Sequence, residues 1–219
     1  MNYPLLALDA ASGRSYACLL LSDDEALFAE SEESRGHSKS LMPMLESLLE
    51  RGSIHWKDLK MLGLGIGPGS FTGLRIAAAA LAGINASLQL PVLPVSSLAV
   101  TAARADHDGD VWVLEDARAG EVFVGHYRQG RPVEENACST WESTGAIVPS
   151  FYISESEPPV GLVGWAKLEA VTGRAEALVK VTRMTMNEVQ PEQLPIYPQP
   201  VYLQISQAEK TLLAKERAA

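Results

Sequence analysis

Residues 61–88 constrain the fold of this chain more than any other stretch. They join a strand that is apolar or glycine throughout, Met61 to Ile66, to a long apolar helix reaching about Leu88, through the turn Gly67-Pro68-Gly69-Ser70-Phe71-Thr72-Gly73. A strand with no polar face belongs in the middle of a sheet that is covered on both sides, as in parallel α/β architectures. The helix that follows is apolar or small on more than one face: Leu74, Ala77, Ala78 and Leu81 form one stripe, and Ile76, Ala80, Ile84 and Leu88 another. Such a helix needs two neighbours. One is the chain's own sheet; the other is a second helix, a partner subunit, or both. Small residues at Ala77 to Ala80 and Ala82-Gly83 lower the relief and permit close helix approach.

The glycine turn invites a phosphate-binding reading, because backbone N–H groups at a helix N-terminus attract anions. The detailed templates fail. No lysine occurs between Met61 and Ala86, so the P-loop sequence is absent. A dinucleotide fingerprint needs glycines at i, i+2 and i+5, and starting from Gly63, Gly65 or Gly67 the third position is Pro68, Ser70 or Thr72. The alternative is that the glycines supply positive φ for a sharp strand-to-helix turn and Ser70 or Thr72 caps the helix. A cap and an anion contact are compatible, and both readings stand at this level.

Around this unit the chain alternates between the two periods. Leu5 to Leu8, Tyr16 to Leu21 and Ala26 to Glu30, separated by turn-rich segments, predict a three-stranded antiparallel meander. Leu41, Leu45, Leu48 and Leu49 fall on one stripe of a helix from Ser38 to about Gly52, with Pro43 in its first turn or kinking it. Pro91 to Val95 predicts a strand, Ser96 the cap of a helix to about Ala103, and Val111 to Leu114 and Glu121 to Tyr127 a strand pair. Beyond Gly130 the expected elements are a strand at Val160 to Val163, a helix at Ala166 to Val171 and a helical or frayed end from Gln207 to Ala219.

Composition bounds the function. A chain of 219 residues with 47% hydrophobic content can bury a substantial core. A net charge of −9 leaves no obvious electrostatic source for phosphate neutralisation, so the chain is not expected to hold RNA alone. Cys18 and Cys138, far apart and without metal-type spacing, fit a reducing compartment, and the start at Met1 lacks a signal-peptide pattern; the expected location is the cytoplasm. The weakly polar stretch Ile76 to Leu90 contains Asn85, Ser87 and Gln89 and reads as a buried or interface helix rather than a membrane span.

Several motifs together resemble the TsaB (YeaZ) family: Leu6-Ala7-Leu8-Asp9 with Ala11-Ser12, Gly36-His37-Ser38 followed by Leu41-Met42-Pro43, the whole run Gly65 to Arg75, Pro91-Val92 with Val95-Ser96-Ser97-Leu98, Asp116-Ala117-Arg118 with Gly120-Glu121-Val122, and Val201-Tyr202-Leu203. The resemblance implies an actin-like ATPase (ribonuclease H-like) α/β fold of two similar lobes, the second reduced, which we place at 1–104 and 105–219. It implies a non-catalytic subunit that pairs with the catalytic subunit TsaD, together with TsaE, in placing threonylcarbamoyl on N6 of adenosine 37 of tRNAs that read codons beginning with A, and that forms a homodimer without TsaD. It implies no cofactor bound by this chain alone, with ATP or ADP confined to the interface of the complex. The interface expected on the first two helices comprises His37, Leu41, Leu45, Leu48, Phe71, Gly73, Leu74, Arg75, Ala77, Ala78 and Leu81.

The competing classes are weaker. A metallopeptidase needs clustered ligands, and His37, His55, His107 and His126 lie eighteen or more residues apart. An actin-like kinase needs a glycine-threonine phosphate turn after Asp9, which is missing, so Asp9 reads as capping its own turn. An RNA-contacting subunit would have to rely on a local patch of Arg14, Arg35 and Lys39. Glu115 stands where family members usually carry an apolar residue.

Overall fold

The structure is a computed structural model that describes residues 2–31, 37–145, 148–159, 161–197 and 199–204, without the side chains of residues 37–39. Strands β1 (Leu5–Asp9), β2 (Tyr16–Leu20) and β3 (Ala26–Glu30) form the expected antiparallel meander, with Leu5 opposite Leu20 and Asp9 opposite Tyr16. Helix α1 (His37–Arg51) leads to β4 (Met61–Gly67), which lies parallel to β1; helix α2 (Phe71–Leu88) then crosses to β5 (Val92–Ser96), parallel to β4. The sheet order is β3-β2-β1-β4-β5. A meander followed by two parallel crossover strands is the lobe of the actin-like fold.

Period-two alternation along β1 divides the core. Leu6 and Leu8 join Ala17, Leu19, Leu62 and Leu64 on one face, closed by Leu41, Leu45, Leu48 and Leu49 of α1 and by Ala77 and Leu81 of α2. Leu5 and Ala7 point the other way, to Cys18, Leu20, Leu93 and Val95. Burying each of these leucines contributes about 1.5–3 kcal/mol, so both faces of the sheet are committed. Pro43 sits inside α1, beyond its first turn, and is exposed. Cys18, within this core, has its thiol pushed up to about 12 by burial, which leaves it inert as a nucleophile.

The second face is covered by α3 (Ser97–Ala102) and by a second sheet built from β6 (Asp110–Arg118), β7 (Glu121–Arg128), β8 (Arg131–Pro132), β9 (Ala137–Thr140), β10 (Phe151–Ile153) and β11 (Ala166–Lys167), with the short helix α4 (Trp141–Thr144) between β9 and β10. β6 and β7 pair antiparallel as expected, and β10 lies parallel to β6. Val111, Val113, Phe123 and Tyr127 face the shared core; Leu114, Val122, Val124, Trp141 and Tyr152 pack on the outer face, where Trp112 and Trp165 also lie.

The chain then forms α5 (Arg174–Glu188), whose Ala175, Ala177, Leu178, Val179 and Val181 enter the core shared by both sheets. The helix expected at Ala166 to Val171 is instead the two-residue strand β11 and an isolated bridge between Ala105 and Ala170. Gly173 ends that extended run and the helical period begins only at Arg174. Residues 161–163 are not in a strand; Val160 and the segment from Gln207 lie outside the described residues.

The strand-to-helix turn explains its own composition. Gly67 has φ +96, a conformation that side chains other than glycine rarely adopt. Ser70 caps α2, its Oγ accepting from the Gly73 N–H at 3.2 Å, while its own N–H donates to the Ala11 carbonyl at 2.6 Å. Gly73 lies so close to the β1–β2 turn that a Cβ there would stand 1.9 Å from the Ala10 carbonyl oxygen. Gly73→Ala is therefore expected to cost about 1–3 kcal/mol by forcing α2 away from that turn, measured as a lower urea midpoint with unchanged slope. At the far end, the Asn85 side chain donates to the carbonyls of Leu90 and Ile196 at 2.9 and 2.8 Å and accepts from the Leu90 N–H at 2.8 Å, tying the helix to the segment that borders β5.

Candidate functional site

Two surfaces meet at the N-terminus of α2: the outward side of that helix and a cleft between the sheets. The geometry of α2 follows from its residue order. Gly73, Leu74, Ala77, Leu81 and Asn85, at nearly four-residue spacing, are buried against the sheet. Thr72, Arg75, Ala79, Gly83, Ala86 and Ser87 are exposed on the opposite side, flanked by the half-buried Ile76, Ala78, Ala80, Ala82 and Ile84. Arg75 is the helix's only charged residue. By length and mean hydropathy, 1.3 with 28% of the helix buried, α2 would suffice to cross a membrane, because it starts five residues before the Ile76 to Leu90 stretch considered from sequence and so gains Phe71 and Leu74. In this fold the same apolarity leaves a low, nearly uncharged ridge on the surface. At its start Arg75 lies 3.8 Å from the centroid of Phe71, and Phe71 in turn packs against Tyr202 at 5.1 Å between ring centroids. Val201 anchors that last segment, donating its N–H to the Ile66 carbonyl at 2.8 Å.

This arrangement corrects the expected interface. Leu41, Leu45, Leu48, Gly73, Leu74, Ala77 and Leu81 fill the chain's own core, where the sheet occupies the stripe that periodicity alone identifies as apolar. Of the expected set, Phe71 and Arg75 are exposed and Ala78 is half-buried; the side chain of His37 lies outside the described residues. Of the basic patch considered for RNA, Arg14 stands 3.7 Å from Glu30, and Arg35 and the Lys39 side chain lie outside the described residues.

The cleft, about 900 Å³, is lined by the β1–β2 turn, the start of α2, the end of β6, residues 155–156, Arg174 and residues 201–204. Behind its lining residue Arg174 sits a fully buried carboxylate, Asp9, at the end of β1. Asp9 does cap its own turn, its Oδ1 accepting from the Ala11 N–H at 3.1 Å. It does more than that. Ser97 Oγ donates to Oδ1 at 2.9 Å and accepts from the Gly67 N–H at 3.1 Å, and the Arg174 guanidinium donates to Oδ2 from Nη2 at 3.0 Å and from Nε at 3.3 Å. Arg174 also reaches Thr101 Oγ1 at 2.8 Å, Glu155 Oε1 at 2.9 Å and the Ser97 carbonyl at 3.1 Å. A guanidinium has five N–H donors, and here all five are used. Arg104 binds the same Glu155 oxygen at 2.6 Å.

Arg174 and Glu155 were missed by sequence reading. The available signal was Arg174 alone at the head of an apolar helical period that was placed one element too early.

An actin-like fold implies a nucleotide in this cleft, and the residues present do not fit one. The acidic groups on its walls are Glu115, Asp116 and Glu155; the basic ones are Arg174, saturated, and Arg118, exposed and 4.0 Å from Asp116. A polyphosphate would meet three carboxylates, with the exposed Arg118 as the one unsaturated guanidinium among the lining residues to set against them. Among the described residues no group of three His, Cys, Asp or Glu side chains is placed to hold a metal ion.

Glu115 projects from β6 toward Glu155 and Arg174. Burial, with the Glu155 charge adding to it, pushes its carboxyl up to about 7. A carboxyl with a raised folded-state value binds its proton more tightly in the folded than in the unfolded chain. Stability contributed here is full below about pH 4.5 and is lost as pH rises toward about 7. Glu115→Gln is expected to remove that component, so the variant's thermal midpoint should fall less than the parent's between those pH values.

Comparison with known proteins gives a consistent set of relatives. The sequence profile of the family described as TsaD, tRNA N6-adenosine threonylcarbamoyltransferase, matches residues 30–141. The tRNA threonylcarbamoyladenosine biosynthesis protein TsaB of Haemophilus influenzae is 34% identical over 125 residues, covering 56% of this chain and 52% of that protein. The TsaB protein of Escherichia coli is 33% identical over 156 residues, covering 69% of this chain and 64% of that protein. The matched regions thus span between about half and two thirds of those relatives. Among solved structures, YeaZ from Pseudomonas aeruginosa is 30% identical, with a TM-score of 0.71 over 91% of this chain and 99% of that one. A second structure from the same organism, described as similar to the peptidase YEAZ, gives 0.73 at the same identity and coverage.

Proposed function

Because the chain belongs to the TsaB/YeaZ family, we propose that it is a non-catalytic partner subunit in forming the threonylcarbamoyl group on N6 of adenosine 37 of tRNA, acting by pairing with the catalytic TsaD subunit. The observation that carries this reading is the outward side of α2. An 18-residue helix with Arg75 as its single charge, and with Ala79, Gly83 and Ala86 in line on its exposed side, has the low relief that close helix–helix packing uses. Exposed ridges of this kind mark interaction sites. The partner surface is centred on Phe71, Arg75, Ala78, Ala79, Ala82 and Gly83. The same ridge pairs with a second copy of this chain when TsaD is missing, and the TsaD pair then receives TsaE in the cytoplasm.

The non-catalytic role is supported by the state of the cleft. Asp9 stands at the end of the first strand, where an actin-like enzyme needs a carboxylate for metal and phosphate, and here that carboxylate is neutralised internally by Arg174. On this reading an adenine nucleotide of the assembly binds at the subunit junction, outside this cleft.

Sedimentation velocity tests the pairing. The chain mixed with purified TsaD should sediment as one heterodimer, and alone as a homodimer. Two species that sediment independently in the mixture would overturn the reading.

A further inference from the structure

Buried polar atoms in folded proteins are nearly always paired. Three that are not, Ser12 Oγ, Glu115 Oε1 and Ser156 Oγ, belong to residues lining the same cleft. The neighbouring groups leave that oxygen of Glu115 without a partner. Its Oε2 accepts from the Glu155 N–H at 3.3 Å, and the Thr101 hydroxyl, which also reaches the Glu115 carboxyl, accepts from Arg174 and shares its one proton with the Ser97 carbonyl at 3.5 Å. Arg174 has no donor left, Arg104 is held by Glu155 and the Thr172 carbonyl, and Arg118 stands by Asp116. Asp9, Asp116 and Glu155 are further carboxylates, not donors.

The charge set already shows what it recognises. Asp9, Glu115 and Glu155 gather about one guanidinium from α5, and Glu115 is the acid left over. What Glu115 Oε1 lacks is a cationic hydrogen-bond donor. Its remaining walls offer Leu98, Phe123, Val201 and Leu203, which suit a short hydrocarbon stem.

We propose that the cleft is a binding site for a small molecule bearing a protonated primary amine, its ammonium donating to Glu115 Oε1 and to Ser156 Oγ and its carbon stem lying against Leu98, Phe123 and Leu203. An ammonium is a compact three-donor cation, and a charge-assisted bond from it to a largely desolvated carboxylate is of the strong class. Binding also has a proton signature: the amine favours the ionised carboxylate, so it draws the Glu115 titration downward from about 7. The site works on the chain alone and is independent of the pairing proposed above.

The probe is n-butylammonium, with n-butanol as its neutral isostere, titrated into the full chain carrying carbon-13-labelled glutamate and followed by NMR. The amine is expected to lower the Glu115 midpoint while the alcohol leaves it unchanged. Glu115→Gln, which keeps the side-chain shape, should weaken amine binding by about tenfold, the loss of one charge-assisted hydrogen bond, and Ser156→Ala should weaken it by a smaller factor. An unmoved Glu115 midpoint would overturn the proposal, as would equal binding of amine and alcohol. Displacement of the amine by MgATP would also overturn it, by returning the cleft to nucleotide.

Discussion

Arg174→Met is expected to destabilise the chain by about 3–5 kcal/mol, because it leaves the fully buried Asp9 carboxylate without its counter-charge. For a domain of this size that corresponds to a thermal midpoint roughly 6–20 °C lower. The loss should not be confined to α5, since Arg174 joins β1 through Asp9, α3 through Thr101 and the Ser97 carbonyl, and the second sheet's loop through Glu155. The double substitution Asp9→Leu with Arg174→Met should recover a large part of the loss, because a buried pair replaced as a whole by apolar groups leaves no orphaned charge. Chemical denaturation of the two single variants and the double variant gives the coupling. Single variants within about 0.5 kcal/mol of the parent would contradict the geometry of this cluster.

Ala79→Glu is expected to leave the fold intact and to weaken partner binding by roughly 30-fold to several thousandfold, the range for an uncompensated charge buried in an interface, about 2–5 kcal/mol. Ala79 is exposed one turn from Arg75 and one turn from Gly83, so a carboxylate there costs little until a second helix is laid against it. Leu74→Glu behaves differently. Leu74 is 1% exposed and packs inward, so a glutamate at that position is expected to unfold the chain, and loss of binding by that variant would identify no interface. Circular dichroism beside the binding measurement separates the two cases.

The contrast between Leu74 and Ala79 shows what was legible in the residue order. Periodicity identified α2 as apolar on more than one side, and it is. It could not say which stripe meets the sheet, because both carry large apolar and small residues; Leu74, Ala77 and Leu81 are the inward set, while Ile76, Ala80, Ile84 and Leu88 stay half-buried. The meander, both parallel strands, the Ser70 and Ser96 caps and the β6–β7 pair followed from local rules of alternation, turn chemistry and capping. The Asp9 cluster did not. Its members come from positions 9, 97, 101, 155 and 174, and no local period links them. Arg174 was obscured further by its place directly after a short extended run, where the helix was expected to begin eight residues too early.

Glu115 was visible as an oddity in a strand otherwise apolar at Val111, Val113 and Leu114. Its meaning depended on Glu155, which follows β10, the strand paired with β6, a contact distant in sequence that adds repulsion to its burial. The glycine turn was undecided between anion contact and steric need. The structure supplies the steric need directly in the close approach of Gly73 to the Ala10 carbonyl and in the positive φ of Gly67.

The central claim is that this chain is required by its catalytic partner through the outward side of α2, and a reconstituted tRNA modification assay tests it most directly. Purified TsaD with TsaE, threonylcarbamoyl donor and unmodified tRNA is expected to form little threonylcarbamoyladenosine alone, to become active when this chain is added, and to remain inactive with the folded Ala79→Glu variant. Full modification without this chain, or full rescue by that variant, would contradict the claim.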